Sequence, residues 1–71
     1  MGEHYQIRVR GRMSHALLRD FEDFETWVEP AETVLERDLD QAALEGALDR
    51  LRTLGLELRE VRRVPPNRES R

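Results

Sequence analysis

Few side chains in this sequence could carry out catalysis. A nucleophile or an acid–base pair would have to come from Ser14, His4, His15 or a short acidic run. Ser14 and His15 are consecutive, so at a helix start their side chains point about 100° apart and form no nucleophile–base pair. The acids lack the spacing of a calcium loop, and no histidine pair has zinc-ligand spacing. We therefore expect no enzyme activity, no metal and no cofactor; the acidic run comprises Asp20, Glu22, Asp23 and Glu25.

Charge is distributed unevenly along the chain. Residues 1–19 hold four arginines against one acid, residues 20–40 hold nine acids against one arginine, and residues 41–71 hold seven arginines against five acids. The formal net charge is −3, which argues against a nucleic-acid binder, whose affinity depends on neutralising phosphates. All twelve basic residues are arginine, a bias that is typical of high-GC coding sequence.

Length and composition indicate one small domain. The chain has 71 residues and no cysteine, which excludes a disulfide framework and favours a cytoplasmic protein. We find no apolar run of about 18 residues and no signal-peptide pattern, so we expect no membrane contact. The domain is predicted to cover residues 1–64. Residues 65–71 contain two prolines and no apolar side chain, and we expect a disordered tail there.

Alternating apolar residues predict four strands. The clearest strand covers residues 5–11, and others are predicted at 24–28, 33–37 and 56–61. The apolar spacing slips before Val61, which predicts an irregularity in the last strand.

Two helices are predicted between these strands. Ser14 is a suitable N-cap for a short helix ending near Glu22 or Asp23, and Asp40 is a suitable N-cap for a longer one. Gly46 inside the longer helix suggests a close approach to a strand, and Gly55 suits the left-handed position after it. The apolar stripe of the longer helix consists of Ala43, Leu44, Ala47, Leu48, Leu51 and Leu54.

The order strand, helix, strand, strand, helix, strand predicts an α+β domain. Its simplest compact form is the ferredoxin-like βαββαβ arrangement, with a four-stranded antiparallel sheet and both helices on one face. Right-handed crossovers in each half give the strand order 4-1-3-2.

The same residues resemble a known group of proteins. The stretch Tyr5–Gly11, the helix start Asp40–Leu44 and the stretch Leu54–Val61 are similar to short actinobacterial proteins that are usually left uncharacterised. That group tends to have a glycine near position 37, where this chain has Arg37. The resemblance covers residues 5–64; it supports the fold and implies no reaction.

The predicted sheet suggests an interaction surface. Its first and last strands carry arginines, and its second and third strands carry acids, so a two-fold axis would lay the basic half of one copy over the acidic half of another. Trp27 would project from the open face as an aromatic anchor, unless the register places it in the core. The protein is then a non-catalytic interaction or regulatory module, a homodimer or the partner of another protein. The predicted interface has Arg8, Arg10 and Arg59 near Glu25, Glu29 and Glu36, around Trp27.

An alternative is a small-metabolite sensor. Gly11 resembles the glycine-containing loop of regulatory domains of the ACT type, and helix-start amides near Arg12 and Ser14 could hold the carboxylate of an amino-acid-like ligand. RNA binding is disfavoured because the outward positions of the two central strands carry no aromatic residue.

Overall fold

The computed structural model describes residues 2–65, and these form six elements in the predicted order. The predicted tail lies outside the described residues except for Pro65. The elements are β1 Glu3–Arg10, α1 His15–Arg19, β2 Glu25–Glu29, β3 Glu32–Leu39, α2 Gln41–Thr53 and β4 Leu58–Arg63.

The four strands form one antiparallel sheet in the order β2-β3-β1-β4. Counted from the opposite edge, the same order reads 4-1-3-2. The arginine-bearing strands β1 and β4 are therefore neighbours, and so are the acidic strands β2 and β3. An α+β domain with two helices and a four-stranded antiparallel sheet is confirmed.

The central strands are longer than the alternation predicts. β1 begins at Glu3 and β3 ends at Leu39 because these two residues pair with each other, and pairing continues from there to Arg10 and Glu32. The predicted irregularity in β4 is confirmed. The register slips between Arg8 and Val9, which leaves Arg59 as an extra residue on the β4 side.

Helix α1 is shorter than predicted. Ser14 caps it by accepting a hydrogen bond from the amide of Leu17 at 3.3 Å, as expected, but the helix ends at Arg19. The amides of Asp20 and Phe21 then bond to carbonyls three residues earlier, both at 3.0 Å, so the chain tightens into successive turns. These turns place Phe21 in the core, fully buried.

Helix α2 covers the sheet and closes the core. The Asp40 carboxylate accepts a hydrogen bond from the amide of Ala43 at 2.8 Å, which confirms the predicted cap. Two members of the predicted stripe, Ala43 and Leu54, are exposed at its margins. The buried core cluster comprises Ile7, Val9, Met13, Phe21, Phe24, Leu35, Leu39, Leu44, Ala47 and Leu51.

The structure separates the roles of the two glycines near α2. Gly55 has φ of 82°, so the predicted left-handed position is confirmed. The close approach predicted at Gly46 is wrong, because a Cβ there would meet nothing within 4 Å.

Candidate interaction surface

The face of the sheet opposite the helices is an open surface, here called the open face. Residues paired across neighbouring strands share a face, and Ile7 and Leu35 belong to the core, so the alternate residues point away from the helices. On the two acidic strands the open face consists of Glu25, Trp27, Glu29, Glu32, Val34, Glu36 and Asp38. On the two arginine-bearing strands it consists of His4, Gln6, Arg8, Arg10, Glu60 and Arg62.

Trp27 lies on this open face. Its side chain is 38% exposed, and its indole Nε1 donates a hydrogen bond to Glu29 Oε2 at 3.1 Å. Val34 sits beside it, between Trp27 and Arg8 in the cross-strand register, and is fully buried. We infer that these two larger side chains cover Val34. The register thus excludes the alternative in which Trp27 belongs to the core.

Arg8 is occupied within its own chain. Its guanidinium Nη1 donates to Glu32 at 2.6 Å and to Glu29 at 3.3 Å, and its Nε donates to the Gln6 side-chain oxygen at 3.2 Å. Glu60 approaches the same guanidinium at 3.9 Å. Glu32 first, and then Glu29, raise the pKa of Arg8 further above its usual range. Arg8 thus has its acid partners within its own sheet, and its role at an interface between two copies stays a prediction.

The other two predicted interface cations, Arg10 and Arg59, differ in their ion pairing within the chain. Arg10 pairs with Glu57 at 3.3 Å, with both side chains exposed. Arg59, at the irregularity in β4, makes no ion pair within residues 2–65 and lines a shallow depression of about 430 Å³ beside Glu60. Arg62 lines the same depression and likewise makes no ion pair among the described residues. Arg62 is not among the interface residues that the sequence predicts.

His4 lies between two carboxylates. Its Nδ1 is 2.7 Å from Asp38 Oδ1 and its Nε2 is 2.8 Å from Glu36 Oε1. A neutral imidazole donates from only one nitrogen, so two carboxylate partners favour the charged ring. The hydrogen bond to Glu36, followed by that to Asp38, raises the pKa of His4. No sequence pattern around His4 indicates this site, because it depends on the pairing of β1 with β3.

Glu36 joins these groups into one network. Its side chain is only 5% exposed although it lies on the open face, and its Oε2 accepts a hydrogen bond from Gln6 Nε2 at 2.6 Å. Hydrogen bonds therefore run without a break from Asp38 through His4, Glu36, Gln6, Arg8 and Glu29 to Trp27. No group of three or more histidine and acidic side chains within residues 2–65 is arranged to hold a metal ion. The network fixes the orientation of these side chains on the open face.

The loop between β1 and α1 uses its polar groups internally. Gly11 has φ of 84°, its amide donates to the Ala31 carbonyl at 2.8 Å, and its carbonyl accepts from Thr33 Oγ1 at 2.9 Å. The amide of Met13 donates to the same Thr33 oxygen at 2.9 Å. The amides of Gly11 and Met13 are thus already bonded, and the Ser14 hydroxyl accepts from α1. A metabolite site at Gly11, Arg12 and Ser14 stays a prediction that this geometry does not favour.

Comparison with protein families gives one match. The model of a family described as a domain of unknown function (DUF8691) covers residues 4–62. The chain belongs to that family. The match begins at His4 and ends at Arg62, so it includes nearly the whole sheet and its open face. No curated protein and no solved structure matches the chain. Of the helices within residues 2–65, none has the length and apolar character needed to cross a membrane.

His4 predicts a pH dependence of the stability of this domain. Because folding raises the pKa of His4, its stabilisation is fully present below about pH 6.5 and is lost as pH rises through the folded pKa. We expect the urea midpoint of the wild type to fall between pH 6 and pH 9. His4→Gln should remove most of this decline, and His15→Gln, at an exposed position in α1, should retain it. An equal decline in both variants would contradict the assignment to His4.

Proposed function

We propose that this domain is a small non-catalytic interaction or regulatory module that forms a homodimer through the open face. The observation that carries the proposal is Trp27, an exposed aromatic side chain that Glu29 holds in place. Tryptophan is among the residues most enriched in binding hot spots, and a side chain that is already oriented loses less entropy on association.

The proposal extends to the fold family, the cellular location and the source of the protein. We propose a ferredoxin-like fold, supported by the βαββαβ element order, the strand order and the packing of both helices on one face. A cytoplasmic location is supported by the absence of cysteine from the sequence. An actinobacterial origin is supported by the resemblance of the stretches Tyr5–Gly11, Asp40–Leu44 and Leu54–Val61 to short actinobacterial proteins.

The dimensions of the open face indicate a weak dimer. Four strands about 4.8 Å apart, with about six residues of 3.3 Å on each, cover roughly 400 Å² per copy. Two copies then bury on the order of 800 Å², below the roughly 1,200 Å² at which standard specific interfaces begin. We therefore expect a dissociation constant in the micromolar range.

Removal of the Trp27 indole tests this function. A dimer contains two copies of Trp27, so Trp27→Ala should raise the dissociation constant at least about tenfold in sedimentation runs from about 10 to 500 μM. The matched control is Leu54→Ala at the end of α2, because Leu54 is 39% exposed and Trp27 38%. A wild type that stays monomeric throughout, or a dimer that Trp27→Ala leaves unchanged, would overturn the proposal.

A further inference from the structure

One cross-strand row of the open face has opposite, unpaired charges at its two ends. The row runs from Glu25 on β2 through Glu36 and Gln6 to Arg62 on β4. Both end residues are exposed, and neither makes an ion pair with another residue of the described range 2–65. They lie three strand spacings apart, about 14 Å, which is too far for them to pair within one chain.

Apart from Arg59 at the irregularity in β4, the remaining cations of this surface already have carboxylate partners among the described residues. Arg8 binds Glu29 and Glu32, Arg10 binds Glu57, and His4 lies between two carboxylates. An acid from outside would have to displace a carboxylate that is already bound to these groups. Glu25 and Arg62 can each take a partner without breaking a contact, so they are the charges that select how a second molecule docks.

We propose that two copies pack with their open faces together about a two-fold axis parallel to the strands, so that Arg62 of each copy pairs with Glu25 of the other. This arrangement rests on the proposed homodimer. Such an axis, placed between β3 and β1, exchanges the two edges of the sheet. Each cross-strand row of one copy then lies over the same row of the other copy. β2 of one copy then lies over β4 of the other, and both ends of the row meet opposite charges.

The geometry of stacked sheets permits these contacts. Aligned sheets pack about 10 Å apart, a distance that an arginine and a glutamate side chain span together. The same axis brings Trp27 over Glu60 of the second copy, where the neighbouring Arg59, which makes no ion pair within residues 2–65, can contact the indole ring.

The other two-fold axis in the sheet plane is unfavourable. An axis perpendicular to the strands lays β2 over β2 of the second copy, which brings Glu25 of one molecule against Glu29 of the other. Like charges brought together across an interface oppose binding. Charge therefore favours the axis parallel to the strands over this alternative.

Charge exchange between the two ends of the row tests the arrangement. Each dimer contains the pair twice, so Glu25→Arg or Arg62→Glu alone should raise the dissociation constant about tenfold or more, because both attractive pairs become repulsive. The double variant E25R/R62E should return it to within about threefold of the wild type. An equimolar mixture of E25R and R62E should form heterodimers, visible by native mass spectrometry, in which both pairs are again attractive.

Matched controls make the same charge changes on the helix side of the molecule. Glu22→Arg and Arg19→Glu alter exposed residues in α1 and the turn after it, and should leave dimerisation unchanged. If the wild type dimerises but the double variant and the mixture fail to recover affinity, the proposed arrangement is wrong and the proposed function stands. If the wild type does not dimerise at all, both are wrong.

Discussion

Replacement of Phe21 by alanine is expected to remove most of the stability of this domain. Phe21 is fully buried, its ring meets Phe24 edge-on with centroids 5.7 Å apart, and the Arg50 guanidinium lies 4.4 Å above its centroid. Phe→Ala at such a site costs about 3–5 kcal/mol. A domain of this size has a total of roughly 4–10 kcal/mol. Urea unfolding of Phe21→Ala should therefore show a much lower midpoint or no folded baseline.

Val28→Ala is the control for this prediction. Val28 lies on the helix side of β2 but is 37% exposed, so its truncation should cost less than about 1 kcal/mol. Phe21→Leu should fall between the two, because it keeps most of the buried apolar volume. A Phe21→Ala variant as stable as Val28→Ala would show that the turn after α1 is not part of the cooperative core.

The features that the sequence predicts well are those set by neighbouring residues. Ser14 and Asp40 cap their helices because an N-cap depends on a side chain and an amide three residues later. The alternation around Ile7 correctly separates the core side of β1 from its open side. Phe21 shows where local periodicity fails. Its spacing from Leu17 and Leu18 is helical, but the chain turns before it, and Arg50 of the distant helix donates to the Asp20 carbonyl at that turn.

The open-face network could not be predicted in the same way. His4 contacts Glu36 and Asp38, which are 32 and 34 residues away, and no local pattern announces that contact. It requires the register of β1 on β3, and a slip of one residue would turn these side chains to the other face. The broad charge separation between strands was visible in the sequence. The neutralisation of Arg8 by acids of the same chain was not visible, because it depends on side-chain distances in the folded sheet.

Replacement of Glu36 by alanine is the second large effect we expect. The change leaves the amide of the buried Gln6 without its acceptor and removes one carboxylate from His4. Donors left unsatisfied in buried positions cost about 1–3 kcal/mol, and urea unfolding at a few micromolar and pH 6 should show a loss of that size. The control is Glu25→Ala. Glu25 is the exposed cross-strand neighbour of Glu36, and its removal relieves a like-charge contact.

Glu36→Gln separates the charge of this side chain from its shape. An amide offers one acceptor oxygen where the carboxylate offers two, so only one of the two donors, His4 Nε2 or Gln6 Nε2, keeps its bond. The hydrogen bond to Glu36 is the largest cause of the raised pKa of His4, so we expect that pKa to fall towards its ordinary value in Glu36→Gln. NMR titration in a His15→Gln background, which leaves one histidine, measures the change. An unchanged His4 pKa would mean that Asp38, and not Glu36, raises it. The stability loss of Glu36→Ala would then come from the unsatisfied amide of Gln6 alone.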